Sequence, residues 1–178
     1  LDEAYIEFAP DGVAPAIDIN DPRLIRMRTF SKGYGMAGAR VGYAIGQRDL
    51  IRSFDKIRNH FGMNRAAQAG ALAALNDTNW LDVVRAQAAS SRTSINTIAR
   101  DNGLSTLPSA TNFVAVDCQQ DGAFAQRVLA ALLEQGIFVR MPFVAPQNRC
   151  IRISTGTAKN MQLLAKALPL ALQQARQG

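Results

Sequence analysis

The chain has 178 residues, 48% of them apolar, enough for a real core and one or two domains. No apolar run approaches the roughly eighteen residues of a membrane-spanning helix, and Cys118 and Cys150 lack metal-type or redox-type spacing, as expected of thiols in a reducing, cytoplasmic setting. The net charge of +6 is spread singly along the chain, which favours a solvated basic surface with a few anion-binding arginines over a nucleic-acid groove.

In chain order, Leu1 to Phe8 reads as the end of a strand entering a loop, in which Pro10, Asp11-Gly12 and Pro15 break any regular element. Short strands are expected over Leu24–Ser31, alternating apolar with charged residues, and over Val41–Ile45. Leu50, Ile51, Phe54 and Ile57 recur at three and four and predict an amphipathic helix over Asp49–His60. Asn64 should cap an Ala-rich helix running to Leu75; Asn76 to Asn79 is a turn cluster, and Trp80 to Asn102 a longer helix ended by Gly103. Strands come next over Leu104–Leu107 and Asn112–Val116, then a helix over Ala123–Gln135 stopped by Gly136. Ile137–Arg140 and Cys150–Ser154 read as strands, and Thr157 caps a final helix to about Arg176 that Pro169 should bend. This alternation indicates an α/β architecture with a domain boundary in the long helix, separating residues 1–79 from 80–178.

The most informative segment is Arg28-Thr-Phe-Ser-Lys-Gly-Tyr-Gly-Met-Ala-Gly-Ala-Arg40. A glycine-rich neighbourhood with little charge is a poor place for an ordinary solvated lysine, so Lys32 stands out. Gly33 to Gly38 also spells G-x-G-x-x-G, the dinucleotide-binding turn. That reading needs a buried apolar strand before the run and a helix after it. The preceding strand alternates with charge, and the residues after the run form a second strand, so the context fails. A non-enzymatic nucleotide-binding module is nevertheless the alternative from another class.

Lys32, with Ser31 before it and Arg40 eight residues after it, resembles the signature of the aspartate-aminotransferase-like enzymes that use pyridoxal 5′-phosphate (PLP), and in particular their histidinol-phosphate aminotransferase branch. The resemblance implies fold type I: part of a large mixed-sheet PLP domain over 1–79 and a small C-terminal α/β domain over 80–178. Lys32 would form the Schiff base with the cofactor and then shuttle the α-proton. Thr29, Ser31 and Arg40 would face the cofactor phosphate, for which the planar guanidinium fork is suited. Leu-Asp-Glu-Ala-Tyr resembles a second family motif, in which Asp2 pairs with the pyridine nitrogen and Tyr5 donates to the phenolic oxygen. Without the lysine motif, Asp2 and Glu3 would read as polar residues at a strand end.

Arg152, in Cys-Ile-Arg-Ile-Ser-Thr-Gly, resembles the arginine that grips the substrate α-carboxylate; the competing reading is a structural salt bridge. Arg140 matches a position that contacts the far, phosphorylated end of the substrate, against the reading of a solvated strand end. Asn112 matches a family strand start but reads better as a turn residue. His60, the single histidine, has no neighbours for metal or triad chemistry, and the family more often has proline there. After Thr157, Ala-Lys-Asn replaces the usual acidic residues and should weaken the helix start.

The implied reaction is amino-group transfer between an amino acid or amino-alcohol phosphate and a 2-oxo acid, with threonine-phosphate-type decarboxylation as the alternative on the same fold. The resemblance covers residue 1 to about 172 but only the second half of a family member. The chain is therefore expected to be a fragment, inactive alone, that needs the N-terminal half of its subunit and a second copy as homodimer partner, with no membrane or nucleic-acid partner.

Overall fold

The computed structural model describes residues 1–177 and divides into two compact units, Leu1–Arg85 and Ala86–Gly178. Among the described residues no helix is long and apolar enough to cross a membrane.

In the first unit, β1 (Ile25–Thr29) and β2 (Gly42–Gly46) form an antiparallel pair, Ile25 opposite Gly46 and Thr29 opposite Gly42. The alternation expected of β1 is present, but its polarity is reversed: Arg26 is 1% exposed and Met27 47%. The reason is Glu3, whose carboxylate lies on the inner side and takes up both Arg26 and Arg28. Residues 1–8 form only a single parallel bridge, Asp2 to Met27, before a 3-10 turn at Ile6–Phe8.

The expected helix over Asp49–His60 is cut short. The helix α1 spans Arg48–Arg52, capped by the Gln47 side chain, and tightens into a 3-10 turn at Ser53–Lys56. Ile57, meant to complete its apolar stripe, is 82% exposed. A short helix depends on tertiary packing, and past the half-buried Phe54 this last turn is exposed. The next helix, α2 (Arg65–Asn76), begins where expected, with Asn64 Oδ1 accepting from the Ala66 N–H at 2.7 Å. The long helix α3 (Thr78–Asp101) starts earlier than predicted because Asp77, inside the turn cluster, accepts from the Trp80 N–H at 3.0 Å. Its sequence runs across the division between the units, between Arg85 and Ala86. Phe30, Val41, Ala67 and Ala71 form the small apolar core of the first unit.

In the second unit, β3 (Ser105–Thr106), β4 (Phe113–Asp117) and β5 (Cys150–Ser154) form an antiparallel sheet in that order. Val114 faces Ile153 and Val116 faces Ile151, so the period-two pattern sends these four side chains into the core. There they join Phe124, Val128 and Leu132 of α4 (Gly122–Glu134) and Leu164, Leu168 and Leu172 of α5 (Ala158–Gln177). Gly136, at φ 75°, closes α4 in a left-handed cap that a side chain would disfavour.

Ile137–Arg140 is not a strand. The Ile137 N–H is spent on the Leu132 carbonyl at the helix end, and only Arg140 reaches the sheet, as a single bridge to Arg152. The start of α5 is better made than its composition suggests. Thr157 Oγ1 accepts from the Asn160 N–H at 3.3 Å while Asn160 Oδ1 accepts from the Thr157 N–H at 2.9 Å, a capping box with Asn in the place of Glu. The helix continues past Pro169, which lies on its exposed face, where water can satisfy the carbonyl left without a donor.

Leu168 is fully buried in the core that α5 shares with α4 and the sheet. Leu168→Ala should lower stability by about 2–5 kcal/mol, the lost transfer energy plus the cavity, read as a shifted midpoint in urea unfolding of the full-length protein.

Candidate active site

Beyond β1 the chain turns sharply through Phe30 to Met36. Phe30 is the anchor: its N–H donates to Val41, its carbonyl accepts from Met36, and its ring lies 4.9 Å from that of Tyr34 and 5.7 Å from that of Tyr43. With Phe30 buried, Ser31 and Lys32 are carried out of the core at a fixed point. Gly33 lets this loop close on the turn at Ile6–Phe8, since a Cβ there would meet the Glu7 Cβ at 2.9 Å. Gly35, at φ 70°, supplies the left-handed turn in which its N–H bonds the Lys32 carbonyl at 3.0 Å.

Lys32 Nζ stands 5.2 Å from the centroid of the Tyr5 ring, so the two motifs that are far apart in sequence meet. Arg40 reaches back to Ser31 Oγ at 3.4 Å and to the Ala37 carbonyl at 2.9 Å. It holds a left-handed backbone (φ 51°), an unfavourable conformation for a residue with a long side chain, which the surrounding turn imposes. No carboxylate pairs with Arg40 among the described residues, which leaves its charge available to an anion. Thr29 Oγ1 accepts from the Ser31 N–H at 3.1 Å, ordering the two hydroxyls beside each other.

Asp2 is exposed, with Oδ1 accepting from the Ala4 N–H at 2.9 Å, and its backbone is bridged to Met27 on β1. The residue that the sequence motifs leave without a role is Glu3, 7% exposed, between Arg26 Nε at 2.7 Å and Arg28 Nε at 2.8 Å. Burial pushes its carboxyl upward, but the hydrogen bonds and charges of the two arginines outweigh that and hold it below the usual carboxylate range. The signal was present: two arginines two apart on one strand share a face, and a lone acid beside the pairing residue Asp2 can meet both. Glu7 is the opposite case. Burial raises its carboxyl, against its own backbone N–H and Arg28, and its Oε2 has no hydrogen-bond partner among the described residues.

In the second unit, Arg140 and Arg152 exchange backbone hydrogen bonds and so present their side chains on one face of the sheet. Both line a cleft of about 600 Å³ whose other walls include Leu129, Met141 and Phe143. Arg152 lies over the Phe113 ring at 4.8 Å, and neither arginine pairs with a carboxylate among the described residues. The structural salt bridge that competed for Arg152 is thus not found. Two like charges beside an apolar wall suit an anionic group attached to an apolar body. The wall residues Met141 and Phe143 were also missed; nothing in their spacing marks them. Asn112 uses its backbone carbonyl to receive the Thr155 N–H at 2.8 Å, and His60 is exposed. No group of three or more His, Cys, Asp or Glu able to hold a metal occurs among the described residues.

The family model for aminotransferase class I and II matches residues 1–168. Histidinol-phosphate aminotransferase 2 of Ralstonia nicotianae is 39% identical over 178 residues, 98% of this chain and 48% of that protein. The crystal structure of histidinol-phosphate aminotransferase from Sinorhizobium meliloti, in complex with pyridoxal-5′-phosphate, superposes with a TM-score of 0.93 at 53% identity, over 97% of this chain and 48% of that one. L-threonine-O-3-phosphate decarboxylase from Porphyromonas gingivalis matches with a TM-score of 0.80 at 23% identity, a likeness of fold alone. The chain thus spans about half the length of the relatives it matches. The fold is that of the fold-type I transferases anticipated from the lysine run, and with the family model covering all but its last ten residues, the chain belongs to the class I and II aminotransferase family.

Proposed function

We propose that the full-length protein is a PLP-dependent aminotransferase of histidinol-phosphate type, moving an amino group between an amino acid or amino-alcohol phosphate and a 2-oxo acid. The observation that carries the reading is the meeting of Lys32 with the Tyr5 ring, next to a Ser31–Arg40 pair whose guanidinium has no carboxylate. An amine, an aromatic face, a hydroxyl pair and an unneutralised guanidinium are the donor set that PLP requires, so the residues present fit the cofactor. When bound, PLP supplies an electron-accepting ring that stabilises charge at the substrate α-carbon.

The chain's own residues would then divide the work. Lys32 attaches the cofactor through its amine and afterwards moves the α-proton, a role needing an uncharged side chain. Asp2 supplies the carboxylate for the ring nitrogen and Tyr5 a hydroxyl for the phenolic oxygen. Thr29, Ser31 and Arg40 hold the phosphate. Arg152 grips the substrate carboxylate, and Arg140, on the same sheet face, meets the anionic far end. Residues 1–79 belong on this reading to the cofactor-binding domain and 80–178 to the small domain. The assembly is a homodimer of full-length subunits, as in the family the motifs resemble.

The 53% identity to the Sinorhizobium meliloti enzyme supports transamination over decarboxylation. Adding PLP to the full-length protein should give a visible absorption band, and borohydride should then fix the cofactor on the peptide containing Lys32. A band that survives unchanged in Lys32→Ala would refute the assignment, and release of carbon dioxide instead of an oxo acid would refute transamination.

A further inference from the structure

We propose that Glu3 is a positioning residue that sets where Asp2 stands relative to Lys32, by clamping the segment carrying Asp2 onto the strand that leads to the lysine. The inference rests on the PLP reading above.

The backbone pairs this segment with β1 around one parallel bridge, Asp2 to Met27: the Met27 N–H donates to Leu1 and the Glu3 N–H to Met27, each at 2.9 Å, and the Leu1 nitrogen donates to Ile25 at 2.7 Å. Backbone hydrogen bonds of this kind are alike in any register, so side chains have to specify it. Glu3 supplies that specification. Its Oε1 takes Arg26 and its Oε2 takes Arg28, the two residues flanking Met27, so a single carboxylate straddles the bridge. A slip of one residue would turn Glu3 to the other face and leave Arg26, fully enclosed, without a counter-charge.

The clamp extends outward at both ends. Arg26 also donates to the Pro15 carbonyl at 2.7 Å, tying down the loop before β1, and Arg28 lies opposite Tyr43 on β2, whose ring packs on Phe30. Phe30 is the anchor of the lysine turn. One side chain therefore couples the position of the carboxylate of Asp2 to that of the amine of Lys32 without touching either. Exposed Asp2 could not provide this itself, since among the described residues its side chain bonds only its own turn, at Ala4.

The test uses the full-length enzyme with PLP and two variants, Glu3→Gln and the double variant Glu3→Met/Arg26→Met. The double variant removes both members of the enclosed pair, which commonly preserves stability. Both should still be fixed by borohydride at Lys32. Their kcat should fall by about a hundredfold, as expected for a displacement near 1 Å at a reacting centre, with KM changed less than about threefold. The visible circular dichroism of bound PLP should change sign or lose intensity, because it reports the cofactor's orientation. A double variant with wild-type kcat and wild-type visible dichroism overturns the proposal while leaving the PLP reading intact. Wild-type protein that binds no PLP overturns both.

Discussion

Lys32→Ala in the full-length enzyme should lower kcat for amino transfer by about four orders of magnitude or more, without a comparable loss of folding stability. Proton transfer by a positioned base is worth about 10²–10⁴, and the same amine supplies the nucleophilic step. Nothing else in the turn can take over. Arg40 cannot be deprotonated, and Ser31 and Thr29 are hydroxyls committed to Arg40 and to the Ser31 N–H. Lys32→Arg should be as inactive as Lys32→Ala, because it keeps the charge and loses the ability to shed it. The fold should tolerate either change, since the turn is anchored by Phe30 and its partners and Lys32 is only half-buried. Single-turnover rates, with thermal unfolding as control, decide the matter. A residual kcat within about tenfold of wild type would show that another group carries the proton.

Features of this chain were legible wherever they depended on local sequence. Lys32 lies in a run whose glycines and aromatics have few other uses, and Asn64, Gly103 and Gly136 mark helix ends by side-chain or backbone properties that act within one turn. What escaped was set by distant partners. The inward face of β1 cannot be assigned from its alternation, because either face satisfies a period of two; Glu3, more than twenty residues away, decides it. The apolar stripe from Leu50 to Ile57 has helical spacing, yet the structure leaves Ile57 largely exposed, and spacing does not reveal whether a stripe finds a surface. Ile137–Arg140 has strand composition, but the end of α4 claims its first N–H. The capping role of Asn160 carries no acidic signature, because the geometry needs only an acceptor.

Arg152→Leu should reduce kcat/KM for a carboxylate-bearing substrate by about thirtyfold to several thousandfold, the roughly 2–5 kcal/mol typical of truncating one member of a desolvated charge pair. Arg152→Lys should recover only part of this, since an ammonium cannot reproduce the two parallel bonds of the fork. The structural consequences of the same change are small. Arg152 has no carboxylate partner in the described chain, so removing it orphans no buried charge and forfeits only its contact with the Phe113 ring, about 0.5–1 kcal/mol. That separates it from Arg26, whose loss would take the ion-pair partner from Oε1 of the buried Glu3. Arg140, more exposed on the same sheet face, should matter less and in a more salt-sensitive way, because exposed charges are screened within about 10 Å at 0.1 M salt. The comparison across salt is therefore the sharper measurement. If Arg152 serves binding, its effect on kcat/KM persists at high ionic strength while that of Arg140→Leu shrinks; if both effects vanish together, the two arginines act only as a general positive surface and neither grips the substrate.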